Sequence, residues 1–226
     1  MIAIDGPSGA GKGTVARTIA ARLNFRHIDT GAMYRAVAWR SQQLGVDLAN
    51  AAGVARVAES AVFRLSRQIE IDGHDVTSAI RTTAMDAAAA TVARHPEVRR
   101  VLVSRQRELG EAGGVVMEGR DIGTVVFPAA DVKVYLDAAA DERARRRAQD
   151  SAHGASQLAA TNGSVGQIAE ALEARDRSDR TREVSPLMLA PDAVYIDTTG
   201  IAIDDVVAQV MALVVDRQSA TDHGRR

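Results

Sequence analysis

A glycine-rich segment near the start of the chain has the residue types that bind phosphate. Gly6–Thr14 follows a short apolar run, Met1–Asp5, and precedes Val15–Leu23, whose apolar residues have helical spacing. In a strand–loop–helix context, glycines let backbone N–H groups approach a phosphate, and Lys12 adds a mobile positive charge. The residues that we predict to bind nucleotide phosphates are Gly6, Pro7, Ser8, Gly9, Ala10, Gly11, Lys12, Gly13 and Thr14.

The residue after the lysine departs from the common phosphate-binding loop. That position usually carries a Ser or Thr whose hydroxyl binds Mg²⁺, but here it is Gly13, and the hydroxyl follows at Thr14. No histidine and carboxylate residues have the spacing of metal ligands either. The Gly-Lys-Gly-Thr ending resembles that of nucleoside-monophosphate kinases, which implies no metal ligand from the protein and a Mg²⁺ ion held mainly by nucleotide phosphates and water.

Two further groups of polar residues follow predicted strands. Thr30 and Arg35 lie about one turn apart at the start of a helix, so a hydroxyl and a guanidinium could hold a second phosphate-bearing ligand. Glu118–Thr124 follows a buried strand, where an open parallel sheet places its ligand. The charged run Arg175–Arg182 fits two interpretations, a second part of the site or a solvated helix face with i,i+4 ion pairs.

Composition narrows the class of protein. The 226 residues are 46% hydrophobic and 25% charged, with a formal net charge of −1, which indicates one globular domain and disfavours general nucleic-acid binding. The absence of cysteine excludes disulfides, thiol catalysis and cysteine-bound metals. Without an apolar run of about 18 residues or a signal peptide, we expect a cytoplasmic protein with no membrane or nucleic-acid partner. Because the sequence has no obvious exposed apolar stripe, we expect a monomer.

Alternating strands and helices must position these residues. The pattern predicts an α/β three-layer sandwich, in which a five-stranded parallel sheet has helices on both faces. Period-two segments at 61–66 and 68–71, with Asp72-Gly73 as the turn, predict a small antiparallel hairpin inserted between helices. The five predicted strands span residues 1–5, 26–29, 115–118, 132–136 and 194–197.

Four motifs in this order resemble the bacterial cytidylate kinase family over residues 1–215. They are Gly6–Thr14, Asp29–Arg35, Glu118–Thr124 and Arg175–Arg182; the first is general to P-loop proteins, and the second and third are more specific. The resemblance implies transfer of the γ-phosphoryl group of ATP to CMP or dCMP, giving CDP or dCDP and ADP. Two alternatives stay open: a P-loop kinase for UMP or a broader range of acceptors, and a non-catalytic ATP-binding module.

The resemblance also implies roles for individual residues. Charge on the transferred phosphoryl group would be stabilised by Lys12, Arg120, Arg147, Arg180 and Arg182. The acceptor would be bound by Thr30, Arg35, Arg99, Arg120, Asp121, Arg175 and Asp179. Ala90 stands where the resemblance implies a serine that hydrogen-bonds cytosine, and the neighbouring Thr91 could substitute.

The same resemblance implies a division of the single domain, 1–215. The core would comprise 1–30, 95–147 and 165–215, the nucleoside-monophosphate-binding region with its insertion about 31–94, and a short lid about 148–164. Residues 216–226 are predicted to be a disordered tail.

Overall fold

A five-stranded parallel sheet forms the centre of the computed structural model, which describes residues 1–66, 68–150 and 165–223. The strand order is β2-β6-β1-β7-β8, so β1 lies between β6 and β7, with Ile2 opposite both Val116 and Val132. The predicted parallel sheet is therefore confirmed. Its strands are β1 (Ile2–Asp5), β2 (Arg26–Asp29), β6 (Val115–Gly119), β7 (Val132–Asp137) and β8 (Val194–Asp197).

Helices cover both faces of this sheet because its central strand is apolar on both sides. Ile2 and Ile4 pack in one buried cluster with residues of α1 and α8, while Ala3 packs in a separate cluster with residues of β2, β6 and α5. The helices are α1 (Lys12–Leu23), α2 (Thr30–Gln43), α3 (Ala51–Ser60), α4 (Thr83–Val92), α5 (Pro96–Gly110), α6 (Ala140–Gln149), α7 (Val165–Thr181) and α8 (Ile203–His223).

The predicted hairpin is present between α3 and α4 and has a third short strand. The strands β3 (Phe63–Leu65), β4 (Ile69–Ile71) and β5 (His74–Asp75) form an antiparallel sheet in that order. The turn between β4 and β5 contains Asp72 and Gly73, both with positive φ, as a two-residue hairpin turn requires. This small sheet, with α2 to α5, encloses a buried cluster of its own.

The ends of two helices follow from the local sequence. Helix α4 begins at Thr83, because the Thr82 side chain accepts a hydrogen bond from the Met85 N–H and caps the helix. Helix α8 continues to His223, so a disordered tail from residue 216 is wrong for the described part of that segment. No proline or glycine interrupts residues 216–223, and each further residue adds one backbone hydrogen bond.

The predicted lid, about 148–164, lies outside the described residues from 151 onward. Among the residues that the structure does describe, no helix is both long and apolar enough to cross a bilayer.

Candidate active site

A cavity of about 650 Å³ opens at the carboxyl edge of the sheet, beside the central strand β1. There β1 has neighbours on both sides that are distant in sequence, which is where open α/β sheets bind ligands. The structure brings most of the predicted site residues into the lining of this one cavity. They are Ser8, Gly9, Gly11, Lys12, Gly13, Thr14, Thr30, Arg35, Arg99, Arg120, Asp121, Arg147, Arg175, Asp179 and Arg182.

The phosphate-binding loop connects β1 to α1 through glycines in conformations that other residues rarely adopt. Gly6 has a φ of 142°, and a Cβ there would lie 1.9 Å from the Leu136 carbonyl oxygen. Gly11, with a φ of 87°, ends the loop, so α1 begins at Lys12. Gly6, Pro7 and Ala10 are buried beneath the lining and shape the loop rather than face the cavity.

Lys12 is held against the loop itself. Its Nζ donates a hydrogen bond to the Pro7 carbonyl oxygen at 2.6 Å. Burial, together with the positive charge of Arg120, lowers the pKa of Lys12 to about 7. The charge of this lysine therefore depends on whether an anion is present beside it.

Two buried carboxylates fix the loop from behind. Asp5 accepts the N–H groups of Ile122 and Gly123 at 2.8 and 2.7 Å, and burial raises its pKa to about 6. Asp176, on α7, accepts the Ser8 N–H at 3.1 Å and pairs with Arg143. The end of β1, the turn after β6 and helix α7 are thereby held in one arrangement around the loop.

The first group of charged side chains in the cavity comprises Asp121 and Asp179 with three arginines. Arg99 is 2% exposed and pairs with Asp121, and Arg182 lies 3.8 Å from the same carboxylate. Asp179 accepts from Arg120 Nε at 2.9 Å and from Arg182 Nη1 at 3.1 Å. Burial acts to raise the pKa of Asp179, but these arginines outweigh it and hold that pKa below its usual range.

The second group is centred on Asp86 of α4, which the sequence analysis missed. Asp86 pairs with Arg147, accepts from Arg175 Nη1 at 2.9 Å and lies 3.8 Å from Arg35 Nη1. Arg35 also donates to Asp29 at 2.8 Å. The sequence did contain one feature that could have identified Asp86: it is a carboxylate in an alanine-rich segment, shortly before Ala90.

Arg180 is the predicted catalytic residue that the structure does not place in the cavity. It is exposed on α7 and hydrogen-bonds with the Tyr135 side chain. The step from Asp179 to Arg180 turns a side chain by about 100° around the helix, so the two residues cannot share a face. The presence of Arg180 in the charged run Arg175–Arg182 therefore does not place its side chain in the site.

Helix geometry also decides whether Thr91, the residue next to Ala90, faces the cavity. Ala90 lines the cavity, whereas Thr91 is exposed and its hydroxyl donates to the Ala87 carbonyl oxygen at 3.3 Å. Thr91 therefore does not substitute for the serine that the family resemblance implied. Ala89, Ala90 and Ala93 instead give this wall an apolar surface.

Further lining residues mark the remaining sides of the cavity. Arg146, to which the sequence gave no role, lies 3.7 Å from a Cβ built on Gly11, as does Ile203. The Glu118 carboxylate accepts a 2.8 Å hydrogen bond from His27 Nε2, and its Oε1 lies 3.1 Å from a Cβ built on Gly13. A carboxylate thus occupies the space beside the residue where phosphate-binding loops usually have a hydroxyl.

Comparison with known proteins gives one consistent result. The sequence model of the cytidylate kinase family matches residues 2–216. The chain is 47% identical to a cytidylate kinase from Solibacter usitatus (strain Ellin6076) over 218 residues, covering 96% of this chain and 93% of that one. It is 45% identical to a cytidylate kinase from Geobacillus thermodenitrificans (strain NG80-2) over 222 residues, covering 96% of each.

Among solved structures, a gluconokinase from Sinorhizobium meliloti 1021 is similar with a TM-score of 0.51 at 14% identity, covering 98% of this chain and 95% of that chain. That likeness concerns the fold alone. The family match over nearly the whole chain and the two close relatives agree with the loop and arginine groups of the cavity. The chain belongs to the cytidylate kinase family.

Proposed function

We propose that this chain transfers the γ-phosphoryl group of ATP to CMP or dCMP, giving CDP or dCDP and ADP. One observation carries the proposal: the phosphate-binding loop and two groups of arginines line the same cavity. A protein that only bound ATP would need the loop but not a second set of cations beside it. Family membership adds the kinase activity and the cytidylate acceptor.

The donor phosphates would be bound at the loop. The first backbone N–H groups of α1 have no partner within the helix and would bind phosphate oxygens, where the helix terminus adds a partial positive charge. Lys12 would leave the Pro7 carbonyl and move to the β- and γ-phosphates, as a flexible point charge can. Arg146 and Ile203, near Gly11, would border the nucleoside part of ATP.

Magnesium would arrive on the ATP, with phosphate oxygens and water as its ligands. Within the described residues, no group of three His, Asp or Glu side chains has a metal-binding arrangement. Glu118, beside Gly13, is placed to accept a hydrogen bond from water on such an ion.

The acceptor would lie between α2, α4 and the two charged groups. Thr30, whose hydroxyl donates to the Glu118 carbonyl oxygen at 2.8 Å, and Arg35 would border its phosphate. The buried Arg99–Asp121 pair presents a fixed donor and acceptor to the cytosine edge. Arg175 and Asp179 would contact the ribose.

Catalysis then needs no covalent intermediate. The attacking acceptor oxygen and the leaving ADP are held in line, and arginines neutralise charge spread over the transferred group. We assign that role to Lys12, Arg120, Arg147 and Arg182, and we give Arg180 none, because it faces away from the cavity.

The decisive experiment measures ADP formation from Mg·ATP with CMP, dCMP, UMP, AMP, GMP, dTMP or water as acceptor. Turnover with CMP and dCMP far above the others supports the proposal. Equal rates with UMP would show a broader pyrimidine kinase, consistent with the apolar wall at Ala90. Lys12→Ala is the control for the loop, because turnover that survives this change would come from elsewhere.

A further inference from the structure

Asp86 is placed where three arginines from three different helices meet. Arg35 comes from α2, Arg147 from α6 and Arg175 from α7, and Asp86 itself belongs to α4. The carboxylate pairs with Arg147, lies 2.9 Å from Arg175 and 3.8 Å from Arg35. All four side chains line the cavity and are at most 19% exposed.

Asp29 adds one negative charge to this group through its 2.8 Å pair with Arg35, and Asp86 supplies the carboxylate that contacts all three arginines. It carries a single negative charge and two acceptor oxygens, while each guanidinium offers several N–H donors in a planar fork. Burial lowers the pKa of Arg147 and of Arg175 to about 10, together with the charges of Arg175 and Arg35 at Arg147 and mainly that of Arg120 at Arg175. A phosphate dianion, with three terminal oxygens and nearly twice the charge, would satisfy the same arginines better.

We propose that Asp86 occupies the place of the acceptor's phosphate among Arg35, Arg147 and Arg175 and must release them when a nucleoside monophosphate binds. The carboxylate is therefore a positioning residue that lowers acceptor affinity, and it takes no part in phosphoryl transfer itself. This inference rests on the proposed function and extends it, since it assumes that Arg147 and Arg175, assigned above to the transferred group and to the ribose, also contact the acceptor's phosphate.

The expected size follows from the competition between the two anions. If the arginines are held by Asp86 about nine-tenths of the time, the apparent Kd for the phosphate ligand rises about tenfold. A ligand without a phosphate can keep the ribose contact of Arg175 while Asp86 stays in place, so its affinity is unaffected. Cytidine is that ligand, because it differs from CMP only in lacking the phosphate.

The test measures the Kd of CMP by calorimetry and that of cytidine by competition, for the whole chain and for Asp86→Asn, Asp86→Ser and Asp86→Glu. We expect the neutral variants to bind CMP about five- to tenfold more tightly with cytidine unchanged. Asp86→Glu, which keeps the charge, should stay within about twofold of the parent for both ligands. The KM for CMP should fall with its Kd.

Asp72→Asn is the matched control. Asp72 also pairs with one arginine, Arg40, at 2.8 Å, and is about one-quarter exposed, but it lies outside the cavity. Thermal unfolding of each variant reports whether the loss of a carboxylate disturbs the fold, and Asp86→Ser serves if Asp86→Asn is not folded.

Weaker or unchanged CMP binding in the neutral variants would overturn the proposal, because Asp86 would then organise the arginines rather than compete for them. Equal gains for CMP and cytidine would overturn it too. Binding of inorganic phosphate, measured without nucleotide, separates this result from failure of the proposed function. Tighter phosphate binding by Asp86→Asn supports the competition even if CMP proves not to be the acceptor.

Discussion

At the scale of the residue, Lys12 is a cation whose charge depends on its ligand. With its pKa lowered to about 7 by burial, the amine is mostly neutral at pH 8, whereas ATP phosphates beside it would restore the protonated form. Binding of Mg·ATP at pH 8 should therefore take up about 0.9 proton at this site. Calorimetry in buffers of different ionisation enthalpy measures that number.

Lys12→Arg provides the reference for this proton uptake. An arginine at position 12 stays charged at pH 8 in the free and in the Mg·ATP-bound protein. Lys12→Arg should therefore take up about one proton fewer on binding than the parent protein. Equal uptake by the two proteins would assign the proton to another group.

Two nearby arginines on α6 allow the effect of contact with the site to be distinguished from the effect of positive charge in general. Arg147 lines the cavity, whereas Arg145 is 57% exposed and pairs with Glu142 at 2.6 Å. We expect Arg147→Ala to lower kcat by about 10³, within the range of arginines that stabilise phosphoryl transfer. Arg145→Ala should leave kcat unchanged, and steady-state rates with saturating CMP and Mg·ATP decide between them.

At the scale of the element, the junction of β1 and α1 depends on the absence of a side chain at Gly6. A Cβ at that position would lie 1.9 Å from the Leu136 carbonyl oxygen, which belongs to the sheet and cannot move aside. Gly6→Ala should reduce the free energy of unfolding by about 3 kcal/mol or more, the upper end of overpacking effects. Urea unfolding measures the change.

Gly45→Ala is the comparison for that substitution. Gly45 also has a positive φ, of 69°, but a Cβ there would meet no atom within 4 Å. Gly45→Ala should lower the free energy of unfolding only by the backbone strain, about 1–2 kcal/mol. Similar losses for both variants would show that conformation, rather than contact with β7, requires glycine at position 6.

Strands and the phosphate-binding loop could be predicted from the sequence, whereas contacts between distant helices could not. The strands were predictable because short buried runs are bounded by glycines, polar residues or turns, and the loop because its spacing is local. The ion pairs of Asp86 were not, since its partner Arg147 is 61 residues away and meets it only after α4 and α6 are packed. The position of Arg180 outside the cavity lining was not predictable either, because a charged motif does not reveal which helix face turns inward.

At the scale of the whole molecule, helix α8 joins the core along only part of its length. Val206, Val207, Val210 and Val214 are buried against the sheet, whereas residues 215–219 are exposed. A chain that stops after Val215 should lose less than about 0.5 kcal/mol of unfolding free energy, as surface changes usually do. Val210→Ala, within the buried part, should cost on the order of 2 kcal/mol.

Thermal and urea unfolding of the truncated chain and of Val210→Ala compare the exposed end of helix α8 with its buried part. A large loss on truncation would mean that the last turns stabilise the core through contacts beyond their own helix. A kinase assay on the truncated chain should give the parent rate, because the lining of the cavity ends at Ile203.

The lysine of the phosphate-binding loop has a consequence for chemical labelling. The sequence contains two lysines, Lys12 and Lys133, and the Lys133 Nζ hydrogen-bonds to Asp192. Near neutral pH, the pKa of about 7 leaves Lys12 with a large share of nucleophilic free amine. An electrophile attached to an adenine nucleotide would therefore acylate or alkylate this single position, giving a covalent probe of the donor site from an ordinary amine reagent.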